Sequence, residues 1–135
     1  MTACANQNAN AQLAELKCIW LEQATEDCKR IIEMVNSACQ GECDATATAE
    51  EVHHLFHDLQ GQASLFGYPL VADLSKNFCA YWRQAKTNLG TQELGVASAH
   101  VLAIQFIIDR QVEGQGGATG QTITEKLTAL IAANT

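Results

Sequence analysis

Apolar residues recur at Leu13, Leu16, Trp20, Ala24, Cys28, Ile31 and Val35, three and four positions apart. That spacing lines one face of an α-helix. It predicts a first helix from about Asn10 to about Cys39, with Gly41 as its stop signal. Residues 1–9 lack periodicity and read as a flexible N-terminal tail, ahead of a single domain over residues 10–135. Thr48 and Glu51 form a capping box, in which hydroxyl and carboxylate each satisfy an orphan backbone N–H. The second predicted helix starts there and carries Val52, Phe56, Leu59, Ala63 and Phe66 on one face, with Leu55 beside them. Gly67 suits the residue just past its end, and Pro69 suits the first turn of a third helix. That helix presents Leu70, Val71, Leu74, Phe78, Tyr81, Trp82, Ala85 and Leu89, and Gly90 closes it.

Thr91 opens a fourth helix bearing Leu94, Ala97, Val101, Ile104 and Ile108. Leu102, Phe106 and Ile107 lie elsewhere around it, so burial on more than one side is expected. The stretch Gly114 to Gly120 reads as a loop. No strand precedes it and no Gly-Lys-Ser/Thr follows, so it is no phosphate loop. A second capping box, Thr122 with Glu125, starts a short last helix with Leu127, Leu130 and Ile131. Short connections between long amphipathic helices make neighbours antiparallel. The predicted fold is therefore all-α, an up-down antiparallel four-helix bundle with an additional short C-terminal helix.

Composition narrows the function classes. Eight Lys and Arg against fifteen Asp and Glu give a net charge of −7. Nucleic-acid binding rests on clustered basic residues, which are absent here, and so does a polybasic membrane patch. No apolar run approaches the ~20 residues of a spanning helix. With no basic or apolar signal region at the N-terminus, a cytoplasmic location is expected. Six cysteines in such a setting are expected as reduced thiols. Cys18, Cys28 and Cys79 read as small buried hydrophobes. Cys39 and Cys43, flanking a Gly-Glu turn, could approach one another.

Three of the four histidines fall in His53-His54-Leu55-Phe56-His57. At the helical turn per residue, His57 points about 150° away from the core face centred near Leu59 and Ala63. His53, His54, Gln60, Gly61 and Ser64 fall on the same outward half. A mid-helix glycine costs ~1 kcal/mol relative to Ala, so Gly61, one turn from His57, needs a reason. Close approach of another protein's surface to the imidazole is such a reason. An outward, nucleophilic imidazole nitrogen among small residues suits group transfer to and from another macromolecule. No carboxylate pair, Ser-His-Asp pattern or nucleotide loop supports an independent enzyme. His100 has no supporting constellation and reads as structural.

The run His57-Asp58-Leu59-Gln60-Gly61-Gln62-Ala63-Ser64-Leu65-Phe66-Gly67 resembles the signature of histidine-containing phosphotransfer (HPt) domains. The helix order is similar over roughly residues 10–112. The resemblance implies a bundle that carries a phosphoryl group on one exposed histidine, which by position is His57, with Gly61 giving receiver domains access. It implies a phosphocarrier in a multistep, two-component phosphorelay, with no ATP site and so no enzymatic activity of its own. Its partners would be receiver domains of response regulators or hybrid sensor kinases. They would supply the aspartate and Mg²⁺, so this chain needs no cofactor, and a monomer is expected. One position departs from the pattern: Gln60 stands where Lys is common. Lys76, expected level with Gln60, and Arg83, expected level with His53, would supply the missing positive potential, or would be ordinary solvated cations. The candidate phosphate- and receiver-binding set is then His53, His54, Gln60, Gly61, Ser64, Lys76 and Arg83.

Two other readings stay open. His53 and His57, four apart on one face, could chelate a metal, with His54 or Cys43 joining. Neither the CxxxC nor the HxxxH spacing is a strong zinc signature, and no metal ligand set is assigned. The other reading is an adaptor bundle whose histidines are merely solvated, which leaves the spacing of His57, Gly61 and Phe66-Gly67 unexplained.

Overall fold

The computed structural model describes residues 2–42, 44–85 and 91–134. Their helices are α1 (Thr2–Cys39), α2 (Ala45–Ala63), α3 (Pro69–Ala85), α4 (Thr91–Asp109) and α5 (Gly117–Ala133), and no strand occurs among them. α1 packs on α2 and α4, and α3 packs on the same two, while among the described residues the α1 and α3 backbones stay more than 8 Å apart between Cα atoms, as do those of α2 and α4. Four helices therefore form a ring with α2 and α4 at opposite corners. α5 lies outside it, against α3 and α4.

Side-chain pairs give the directions. Trp20 stacks on Phe66 at 5.5 Å between ring centroids, whereas Arg30, three turns further along α1, pairs with Glu51. Rising positions on α1 thus meet falling positions on α2. Phe56 faces Phe78 at 4.1 Å, and the Trp82 indole N–H donates to the Ala49 carbonyl at 3.0 Å, so α2 and α3 are antiparallel too. Phe78 sits at the centre, also touching Trp82 and His100. Phe56, Phe78, Trp82, Ile31, Leu59, Leu74, Ile104 and Ile107 are all fully buried. Each such side chain contributes roughly 1.5–3 kcal/mol of transfer free energy. The all-α, up-down bundle expected from the apolar spacing is the observed architecture.

Three helix ends follow one motif. At Gly67 (φ +91°) the Tyr68 N–H donates to the Ala63 carbonyl at 2.9 Å and the Gly67 N–H to the Ser64 carbonyl at 3.3 Å. This is a Schellman motif, which satisfies carbonyls that the helix end leaves open. Gly41 (φ +72°) ends α1 the same way, through Glu42 to Ser37 and Gly41 to Ala38. The end of α4 repeats it with Gln111 (φ +52°), a non-glycine residue, in the left-handed position.

The starts differ from those expected. α1 is already helical at Thr2, eight residues before Asn10. α2 begins at Ala45, which places Thr48 and Glu51 inside the helix; Thr48 is buried and Glu51 pairs with Arg30. α5 begins at Gly117 and runs for 17 residues, and the Thr122 hydroxyl donates back to the Ala118 carbonyl. Gly120 makes that earlier start possible. It is buried against Leu70, and a Cβ there would lie 1.8 Å from the Gln115 carbonyl oxygen. Leu89 and Gly90, expected at the end of α3, lie outside the described residues.

Leu13 and Leu16 continue the core stripe of α1 but are about half exposed, at 46% and 54%. Lys17 pairs with Glu113, and Trp20 stacks on the Gly67 turn, so the far end of the bundle is level with these residues of α1. The helix simply outruns its neighbours. Cys28 and Cys79 are buried, as expected, whereas Cys18 is exposed. Burial pushes the Cys28 thiol up to about 12 and the Cys79 thiol up to about 11.

Candidate functional site

The middle of α2 projects its histidines because its other face is committed to the core. Val52, Phe56, Leu59 and Ala63 are fully buried, so positions offset from them by half a turn must face outward. His57 and Gly61 are exposed, His53 and Gln60 are half-buried, and Ser64 is exposed in the turn that follows. The His53 and His57 rings are tilted by 55° with centroids 6.5 Å apart, side by side on one surface. His54 is turned aside: its Nε2 lies 3.6 Å from the Asp58 carboxylate one turn further on.

Gly61 has no internal reason to be glycine. Its backbone is ordinary helix, and a Cβ built on it meets nothing within 4 Å. The space beside His57 is open, and the absent side chain keeps it so.

The aromatic pairs correct the register expected between α2 and α3. Each step forward on α2 answers a step back on α3, so the pairs Phe56–Phe78 and Ala49–Trp82 place Lys76 level with positions 55–58. Lys76 thus stands level with His57 rather than with Gln60. Arg83 falls level with positions 48–51, about a turn beyond His53, and its Nε donates to the Cys79 carbonyl at 3.4 Å. Both cations are exposed. The structure therefore brings His53, His57 and Gly61 together, with Lys76 abreast on the neighbouring helix, while Arg83 stands apart. The register between the two helices is fixed by the ring pairing and the Trp82–Ala49 hydrogen bond, which helical periodicity alone does not reveal.

Two neighbours of the site went unread in the sequence. Asp58 engages His54, a pairing legible in its i, i+4 spacing. Leu65, beside Ser64, is 69% exposed, the most exposed large apolar residue described. His100, by contrast, is fully buried, with Nδ1 2.8 Å from the Val96 carbonyl oxygen and its ring against Phe78. Burial holds its pKa below the ordinary value near 6.5, although the Val96 contact raises it in part.

Among the described residues, no group of three or more His, Cys, Asp or Glu side chains is arranged to hold a metal ion. Cys43, a possible contributor, lies outside them. No described helix is long and apolar enough to cross a membrane. Compared with known proteins, the chain matches no family model, no curated protein and no solved structure.

Proposed function

We infer that the chain is a histidine phosphocarrier, a cytoplasmic intermediate in a phosphorelay, with His57 as the phosphoryl acceptor. The observation that carries this reading is the pairing of an exposed His57 with Gly61 one turn on, where open space leaves the glycine without an internal role. A helix that gives up about 1 kcal/mol at that position keeps an approach to the imidazole clear. Lys76, abreast of His57, adds positive potential where Gln60 adds none.

In this reading the His57 Nε2 lone pair forms a bond to phosphorus as the acyl-phosphate P–O bond of a receiver's phospho-aspartate breaks. The aspartate carboxylate leaves. Onward transfer runs the same step in reverse, with a second receiver's carboxylate attacking the phosphorus and His57 leaving. Such transfer needs in-line positioning and charge neutralisation rather than covalent chemistry from several protein groups. The receiver brings the Mg²⁺, and this chain brings a positioned nitrogen on a rigid helix. In this reading the chain relays phosphate between receivers rather than drawing it from ATP.

Incubation of the purified chain with a panel of phosphorylated receiver domains tests this. Phosphate should move from at least one receiver to the chain, and from the phosphorylated chain to another. A panel in which no receiver gives or takes phosphate contradicts the reading.

A further inference from the structure

Between Leu94 and Ile108, α4 is apolar around most of its circumference, with Ser98, His100 and Gln105 its polar residues, and it has α1, α3 and α5 as neighbours. A helix hydrophobic all round is ordinarily covered all round. The outer side of α4 carries exposed Gly95, Leu102 and Phe106, with Ala99 half-buried against the core between them, at intervals of four, three and four, so they form one straight stripe. Leu102 is 51% exposed and Phe106 is 42% exposed. Gly95 is exposed as well, and a Cβ there would meet nothing within 4 Å. Two small residues thus occupy one end of the stripe and two large ones the other.

That order is self-complementary in a single sense. When two copies of the stripe lie antiparallel about a two-fold axis between Ala99 and Leu102, each Phe106 faces the other copy's Gly95 and each Leu102 faces the other's Ala99. Large residues then meet small ones at all four contacts, the arrangement that lets two helices approach closely. Parallel pairing would set Phe on Phe and Gly on Gly. A two-fold, isologous contact is the commonest way for a chain to meet its own copy.

Charge agrees with this choice. The chain carries −7 overall, so two copies repel over most of their surface. Positions 94–108 contain no charged residue. The Arg110 guanidinium lies over the Phe106 ring, 5.4 Å from its centroid, so the stripe carries a cation only at its Phe106 end. α5 extends the patch sideways: Ala118, Thr122 and Ile123 face Ala103 and Phe106 across a groove of about 490 Å³. A 19-residue helix spans roughly 28 Å. Antiparallel pairing along it would be flanked by α5 from each copy.

We propose that the outer face of α4 is a homodimer interface, formed by antiparallel pairing of Gly95, Ala99, Leu102 and Phe106 with the same residues of a second copy. This replaces the monomer expected from the sequence. α2 occupies the opposite corner of the ring, so pairing through α4 leaves His57 uncovered in both copies.

Sedimentation equilibrium on the full chain, across micromolar to submillimolar concentrations, tests it. The parental chain should pass from 14.6 kDa toward twice that mass. Gly95→Phe sets Phe against Phe and should raise the dissociation constant ~10-fold or more, and so should Phe106→Ala, which empties the contact. The double variant restores one large and one small residue at each contact and should dimerise again. Thermal melts of all three confirm folding, since both positions face outward. A chain that stays monomeric throughout overturns the proposal. So does a dimer indifferent to both single changes, or a double variant no better than its parents.

Discussion

At Gly61 the demands of folding and of function separate. Replacing it with Ala removes the flexibility that glycine brings to the unfolded chain and meets nothing in the folded one. Gly61→Ala should therefore stabilise the protein by up to ~1 kcal/mol. Gly61→Arg should also fold, because the added side chain enters open space. It would, however, project beside the His57 imidazole and hold a partner's surface away. Phosphoryl transfer is sensitive to misplacement on the ångström scale, so the rate should fall by ~100-fold or more. Thermal midpoint and transfer rate, measured together on both variants, decide the point. A Gly61→Arg protein that folds and transfers at the parental rate would remove the docking face around His57. The outward projection of His57 and Gly61 was legible in the residues, because it follows directly from which neighbours are apolar. The position of Lys76 was not, since it depends on the register between α2 and α3.

At the scale of helices, the three left-handed ends invite a direct comparison. Gly41 and Gly67 adopt positive φ without cost, whereas Gln111 does so at φ +52° with a side chain that crowds its own backbone. Gln111 is exposed, so its side chain contributes little to the core. Gln111→Gly should raise stability by roughly 0.5–1 kcal/mol in chemical denaturation, the strain relieved outweighing the entropy glycine adds to the unfolded chain. An unchanged or lower stability would mean that Gln111 makes compensating contacts. The helices themselves were readable because each buries one stripe at a fixed period. Their beginnings were misread for two separate reasons. Capping-box letters also occur within helices: Thr48 is buried inside α2, and the Thr122 hydroxyl donates to the carbonyl four residues back. The start of α5 depends instead on Gly120, whose close approach to the Gln115 carbonyl is a tertiary fact with no local signature. The exposure of Leu13 and Leu16 was hidden similarly, because a periodic stripe does not announce where its neighbours end.

For the molecule as a whole, one buried histidine links stability to pH. His100 is held neutral in the fold, and burial is the main cause of its lowered pKa. The unfolded chain binds a proton at that residue near its ordinary value of 6.5, while the folded chain resists it. This contribution to stability is fully present above pH 6.5 and is lost as pH falls through the lowered folded value. Urea denaturation between pH 7.5 and 5 should show stability falling with acid, and His100→Gln should flatten that slope. Equal slopes in the two proteins would assign the pH dependence to other groups. None of this touches His57, which sits on the outer surface of the ring at α2 while His100 lies inside on α4.

In the proposed relay His57 is the one phosphoryl acceptor, and site-resolved labelling tests that most directly. The parental chain and the variants His57→Gln, His53→Gln and His54→Gln would each be incubated with a phosphorylated receiver that labels the parent. Acid-labile phosphate would then be located by mass spectrometry. The parental, His53→Gln and His54→Gln proteins should take up phosphate at His57, and His57→Gln should take up none. Full labelling of the His57→Gln protein, or phosphate found on another histidine, would contradict the account.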